Sequence, residues 1–334
     1  MSFVSIGDLA QSLQLRRDNA RLNADLARLS SELSSGRNAD LREAEKGDLR
    51  PLAAIERTVV LLEGYRTAVR EAALFAETAQ ATLATLDASA DELMGNLFLA
   101  RTAGLPAQID AVGATAAAAF ESAVARLNVQ VAGRTVFAGT ATDRPALAPA
   151  KDILDAVEVA AAGATTAADV EVALDTWFAA GGGFDTMAYL GSDALRPFRL
   201  SDGDTATLNL TAEAPELRAT LKGMATAALL DRGILAAVPG ERGALAGRAA
   251  EALLPARNGV IALRAGVGDA EAAIERSRVR VEVESSTAEV ARAGIVAADP
   301  FVAAAELQSV QVQLESLYAV TARLSSLNLA AYLR

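Results

Sequence analysis

The chain has 334 residues, no cysteine, no histidine and a formal net charge of -11; hydrophobic residues make up 52% and aromatic residues 4%. That length supports one large core or two to three modules, and a composition led by alanine and leucine favours long helices over aromatic-rich sheets. The missing residue types exclude disulfides, thiolate nucleophiles, imidazole bases and nearly all zinc chemistry, and the acidic balance argues against nucleic acid, whose phosphates need a basic face.

No window of about 18 residues is free of charge, and Met1–Ala10 carries Asp8 without a basic stretch. The chain is therefore expected to have neither a membrane span nor a cleavable secretion signal. Charge is unevenly placed: residues 143–232 hold fourteen acids against seven Lys or Arg, whereas residues 1–50 balance eight against eight. An acidic middle suits solvent, and nearly neutral ends suit surfaces that pack side by side.

Leu15, Asn19, Leu22, Leu26, Leu29 and Leu33 alternate at spacings of four and three, which predicts a helix with a coiled-coil seam and one polar knob at Asn19. Ser34-Ser35-Gly36 ends it, Arg37–Arg50 reads as a loop, and Pro51 reopens a helix. From Leu52 the same spacing runs to Leu97, interrupted by Arg66, Gln80 and Asp87, and predicts a rod-like helix. Gly104 and Pro106 break it, and a further helix follows through Ile109–Val131 to Gly133. Thr135–Ala138 then predicts a short strand or hairpin.

Residues 143–232 read as a small mixed insert with β structure. Ala160–Ala168 is low in pattern, and Leu195–Ala212 alternates around Asp202-Gly203-Asp204 like a hairpin. Helical pattern returns near Glu241; Arg278–Glu284 alternates valine with charge and suits a strand as well, but its context assigns helix. Asp299-Pro300 opens a last helix whose seam is Leu307, Val310, Leu314, Leu317, Thr321 and Leu324.

The predicted fold is thus mainly α: an elongated antiparallel helical bundle or coiled coil built from both termini, with a small β-containing middle domain. Its parts are an assembly helix and loop (1–50), two halves of a helical rod (51–142, ending in a hairpin, and 233–298), the insert (143–232) and a second assembly helix (299–334). A lone apolar stripe cannot stay solvated, so each terminal seam must find a mate within the chain or in a neighbour. Asn19 and Thr321 suit either register selection or simple tolerance at a frayed end.

Candidate chemistry is sparse. Asp202-Gly203-Asp204 lacks the further ligands of a calcium loop and reads as a tight turn. Gly240, Gly243, Gly247, Gly266 and Gly268 follow no strand and lack a phosphate-loop lysine, so they read as loop or helix-packing glycines. Ser192 lacks both a nucleophile-elbow glycine and any histidine. No catalytic, cofactor-binding or metal-binding residue is assigned and no cofactor is expected; carboxylates of the insert remain the alternative, enzymatic reading.

LNADLARLSSELSSG (Leu22–Gly36) resembles the amino-terminal segment of the flagellin superfamily, and DPFVAAAELQSVQVQLESLYAVTARLSSLNLAAYLR (Asp299–Arg334) resembles its carboxy-terminal helix. Val136-Phe137-Ala138-Gly139-Thr140 is similar to the Phe-Ala-Gly-Thr motif of the superfamily's hook-filament junction branch, the hook-associated protein 3 family. Filament flagellins usually carry an Asp-Asp-Ala-Ala-Gly run where this chain reads NADLREAEKGDLRPL, which favours the junction branch. The resemblance covers roughly the first 140 and last 95 residues.

It implies a non-enzymatic structural subunit of the bacterial flagellum, involved in motility. The subunit would be carried by the flagellar type III exporter without a cleavable signal and held beforehand by an export chaperone at its last helix. Outside the cell it would form a ring of copies of itself between the other junction protein and flagellin, with no membrane insertion. The alternatives are a filament subunit and an exported effector.

Overall fold

The computed structural model describes residues 6–332, with side-chain surroundings for residues 10–324. The protein is mainly helical, with two antiparallel sheets of two strands each among the described residues. It divides into two compact units, Met1–Leu61 with Val283–Arg334, and Leu62–Glu282.

In the first unit, α1 (Ile6–Ser35) and α9 (Pro300–Tyr332) pack against each other, while a four-residue α2 (Leu41–Ala44) lies within the segment read as loop. Gly36 adopts φ +66° and its N–H bonds the Glu32 carbonyl at 2.8 Å, while Ser34 and Ser35 hydroxyls donate to the Ser31 carbonyl. The Ser-Ser-Gly stop therefore works through a left-handed glycine and two serines that satisfy a helix-end carbonyl. Asp40 caps α2 by accepting the N–H groups of Arg42 and Glu43. Asp299 caps α9 by accepting those of Phe301 and Val302 at 2.8 and 3.3 Å, with Pro300 in the first turn. The first turns of α3 (Arg50–Ala103) and the last of α8 (Pro239–Val296) also belong to this unit.

In the second unit α3 buries Val69, Ala76, Leu83, Ala90 and Leu97 together with Ala72, Ala79, Leu86, Leu93 and Ala100. Two positions recur every seven residues, the sign of a helix held in a bundle. Residues that interrupt this apolar pattern include Arg66, which meets Glu282 at 3.2 Å, and Asp87, which receives Arg257 at 3.0 Å and Arg264 at 3.5 Å. With Arg101–Glu251 at 2.8 Å, these pairs place α3 and α8 antiparallel in this unit. Helix α8 continues through Pro255, and Arg278–Glu284 lies within it as helix. Gly240, Gly243, Gly247, Gly266 and Gly268 all lie in α8; Arg101 packs over Gly247, whose missing side chain leaves the room.

Helix α4 (Pro106–Leu127) leads into the β1–β2 hairpin (Gln130–Val131 and Arg134–Thr135). Ala132 and Gly133 both take positive φ, 49° and 78°, the conformation of a two-residue hairpin turn whose twist matches the strands. The hairpin ends at Thr135, the first residue of the expected Thr135–Ala138 strand, because this turn rather than β-propensity sets its place.

The middle segment carries more helix than its sequence pattern suggests: α5 (Ala150–Ala161), α6 (Ala167–Trp177), a π-helical turn (Phe184–Ala188) and α7 (Pro215–Ala228). Its sheet is β3 (Phe198–Arg199) paired with β4 (Thr205–Ala206), closed by Gly203 at φ +89°. Across that turn the Ser201 hydroxyl donates to Asp204 at 2.8 Å. Trp177, Phe178 and Phe184 form an aromatic cluster with ring centroids 4.7–6.3 Å apart. One core spans this unit from Val69 to Ile274.

Candidate assembly interface

The leucine seam of α1 meets that of α9 within the first unit. Leu22 and Leu29 are buried with Val310 and Leu314, and Leu26, Leu307 and Leu317 pack around them as a separate core. The end of α1 lies beside the start of α9, since the Ala298 N–H bonds the Gly36 carbonyl at 3.0 Å, so the two helices run antiparallel. Leu15, Asn19 and Leu324 are half-buried, and Thr321 is exposed.

Leu33 is 41% exposed, whereas Glu32 beside it is only 6% exposed. Helical twist carries the buried face from Leu29 to the residue three further on, and there the chain places a carboxylate. Its burial is tolerable because both oxygens are engaged: Arg28 lies 3.2 Å away and the Ala39 N–H donates at 3.0 Å. Counting apolar residues selects Leu33; the Arg28–Glu32 spacing of four was the available signal for the buried pair.

The two polar seam positions bond within their own helices. The Asn23 amide donates to the Asn19 side chain and carbonyl, both at 2.8 Å, and the Thr321 hydroxyl donates to the Leu317 carbonyl at 2.7 Å. Neither bond crosses the pair.

The linkers at the base of the pair are also joined. The Asn38 N–H donates to the Val296 carbonyl at 2.9 Å, the Asn38 amide donates to the Ala297 carbonyl at 3.0 Å, and Arg37 and Ala297 form an antiparallel bridge. Arg37–Arg50 carries only a loop pattern, and nothing local marks a partner 259 residues away.

The Val136-Phe137-Ala138-Gly139-Thr140 segment lies in the second unit and is buried up to Gly139. Its backbone joins three other stretches: Ala212 N–H to Phe137 carbonyl at 2.8 Å, Ser192 N–H to Ala138 carbonyl at 3.0 Å, Thr140 N–H to Asp193 carbonyl at 2.8 Å, and Val136 N–H to Val129 carbonyl at 3.1 Å. Gly139 has φ +60°, and a Cβ there would fall 2.3 Å from the carbonyl oxygens of both Ser192 and Asp193. Only glycine meets both demands.

Tyr189 completes this hub by donating its hydroxyl to the Ser192 carbonyl at 2.7 Å; burial, and then the Glu213 charge, push the phenol up to about 12. Asn128, at the end of α4, grips Leu147 twice: its amide donates to the Leu147 carbonyl at 3.0 Å and its side-chain oxygen accepts the Leu147 N–H at 2.8 Å. The hub is architectural in its geometry, since every group named donates to or accepts from protein backbone.

A cavity of about 520 Å³ opens in the same unit between Phe178, Pro215, Arg218 and Lys222. Its cations are already matched, Lys222 by Asp175 at 2.6 Å and Arg218 by Asp185 at 2.5 Å and Glu213 at 3.6 Å. Among the described residues, no helix is long and apolar enough to cross a membrane.

No family model matches the chain, and no curated protein does. Among solved structures, a protein of Vibrio parahaemolyticus provisionally described as a flagellar hook-associated protein is similar at 13% identity with a TM-score of 0.40, a likeness that covers 71% of this chain and 95% of that one.

Proposed function

We propose that this chain is a structural subunit of the bacterial flagellum, of the hook-associated protein 3 type, which joins the hook-side junction protein to the first flagellins. The observation that carries the reading is that the two segments resembling the ends of flagellins lie at opposite ends of the sequence, yet form one antiparallel pair around Leu22, Leu29, Val310 and Leu314. Among the described residues, four buried side chains form the core of this pair. Such a pair gains from neighbours that cover what it leaves exposed, including Phe301, Val312, Tyr318 and Val320. The third resembling segment, Val136–Thr140, has the role of holding the second unit together.

On this reading the subunit leaves the cell through the type III exporter, chaperoned at its last helix, and forms a ring of copies outside. A structural rather than catalytic role is supported by the pairing inside the middle segment's cavity, where Asp175 is matched by Lys222 and Glu213 by Arg218. Deleting the gene and examining the cells by electron microscopy, with an assay of the medium for flagellin, tests the reading. Bare hooks with flagellin shed into the medium are expected. Bare hooks without the major flagellin would make the chain a filament subunit, and intact motile filaments would refute the flagellar role.

A further inference from the structure

The cavity of about 520 Å³ in the second unit is built along one face of α7. Pro215, Arg218, Ala219 and Lys222 fall at i, i+3, i+4 and i+7, so helical periodicity turns all four the same way. Asp175 of α6 and Phe178 just past its end complete the wall, and Glu213 lies two residues before α7. The lining thus combines two cations, two carboxylates and an apolar surface.

These four charges are unequally engaged. Arg218 donates to Asp185 at 2.5 Å and to the Phe178 carbonyl at 3.1 Å, and its guanidinium lies 4.8 Å from the centre of the Phe184 ring. Glu213 stands 3.6 Å from Arg218, beyond hydrogen-bond reach. Lys222 has three donors, of which Asp175 takes one at 2.6 Å. An acceptor at Glu213 and donors at Lys222 therefore remain, on side chains 46% and 29% exposed. The helical rise sets Lys222 roughly 6 Å along α7 from Arg218, the partner of Glu213.

That pattern selects the chemistry of a ligand. A simple anion would meet Asp175 and Glu213, and a diamine would meet Arg218 and Lys222, each at the cost of like-charge contact. A molecule with an ammonium at one end and a carboxylate at the other can set each against its opposite. Two extended residues span roughly 7 Å, close to the helical turn that separates the two ion pairs. We propose that this cavity binds a dipeptide with an apolar side chain, whose ammonium is bound by Glu213 and whose carboxylate is bound by Lys222. Pro215 and Phe178 supply the surface for the apolar side chain. The site is independent of the flagellar reading and lies outside the segments that carry it.

The purified full chain contains its own reporter, because its one tryptophan, Trp177, packs edge-on against Phe178 with ring centroids 4.7 Å apart. Titration with the dipeptide alanyl-leucine is expected to change its fluorescence saturably. The N-acetylated and the C-amidated dipeptides, each lacking one charge, should bind about tenfold more weakly or worse, as should free leucine, whose two charges lie too close together. Glu213→Gln and Lys222→Met should each weaken alanyl-leucine by about tenfold. Both positions are open enough to solvent for the fold to survive, which far-ultraviolet circular dichroism checks. Glu213→Gln should leave the affinity for the N-acetylated form unchanged, a selectivity that a general loosening of the cavity would not produce.

Saturation-transfer NMR on the peptide decides a silent titration, since it does not depend on the tryptophan. No transfer at about 10 mM peptide, weaker than two charged contacts should give, would overturn the proposal. So would equal binding of the capped dipeptides or of free leucine, or folded variants that bind alanyl-leucine as the unaltered chain does.

Discussion

Replacing Gly139 by alanine isolates the chemistry of the hub. The residue sits at φ +60°, where a side chain costs roughly 1–2 kcal/mol. The new Cβ would also lie 2.3 Å from two carbonyl oxygens of the backbone, which can yield only by moving residues 192–193. That movement strains the Ser192–Ala138 and Thr140–Asp193 bonds of 3.0 and 2.8 Å, each worth about 1 kcal/mol net and more if its groups stay buried without partners. The sum is about 3–5 kcal/mol, and in a unit of this size it should lower the melting temperature by roughly 6–20 °C.

Gly133→Ala supplies the control, because Gly133 has φ +78° with nothing within 4 Å of the added atom, so it carries the backbone term alone. Urea unfolding followed by tryptophan fluorescence reports on the right unit, since the one tryptophan, Trp177, lies there. If Gly139→Ala costs no more than Gly133→Ala, the close approach of the two backbones is not what demands glycine, and the account of the motif fails.

Leu29→Ala should release the terminal pair, measured as faster proteolysis of both chain ends, because the side chain is 1% exposed and such truncations cost about 2–5 kcal/mol; Leu33→Ala, at a surface position, should change the cleavage rate little. Alkaline titration of phenol absorbance should show a tyrosine ionising near 12 that Tyr189→Phe removes. Since that value lies above the unfolded one, the stability linked to Tyr189 is complete below about pH 10 and is lost as pH rises toward 12. Asp155 is held below the usual carboxylate range by its bond to Lys151 and then by Arg232. Its contribution is therefore present above about pH 4 and fades as pH falls further, and an acid melt of Asp155→Asn should lack that part of the transition.

Regular elements were legible where one residue's fate depends on its neighbours in sequence. The α3 heptads, the Ser-Ser-Gly stop of α1 and the Asp299-Pro300 start of α9 could be read because spacing, capping and backbone freedom are local. The α6 start was not legible: Thr166 and Asp169 form a reciprocal cap, but the alanine-rich stretch around it offers little periodicity. Asp87 reads as an interruption because the arginine that justifies it is 170 residues away. Of the interface, the leucines were visible as a set, whereas the burial of Glu32 and the joining of the linkers depend on where α1 ends against α9. The hub showed itself only as a short motif, since its meaning lies in contacts with residues 192–193 and 212.

The joining of the Asn38 and Ala297 linkers also bears on the order in which a chain like this can fold. Asn38 and Ala297 are 259 residues apart, so their bond closes a loop of most of the sequence, at an entropic cost that rises with loop length. Contacts within the middle segment, such as Arg232 with Asp155 77 residues away, close far shorter loops. Low-separation contacts form first and shorten the loops left for the rest. The α1–α9 pair should therefore be the last part to form in refolding, and interrupted-refolding proteolysis should find a protected second unit while both chain ends are still cleavable.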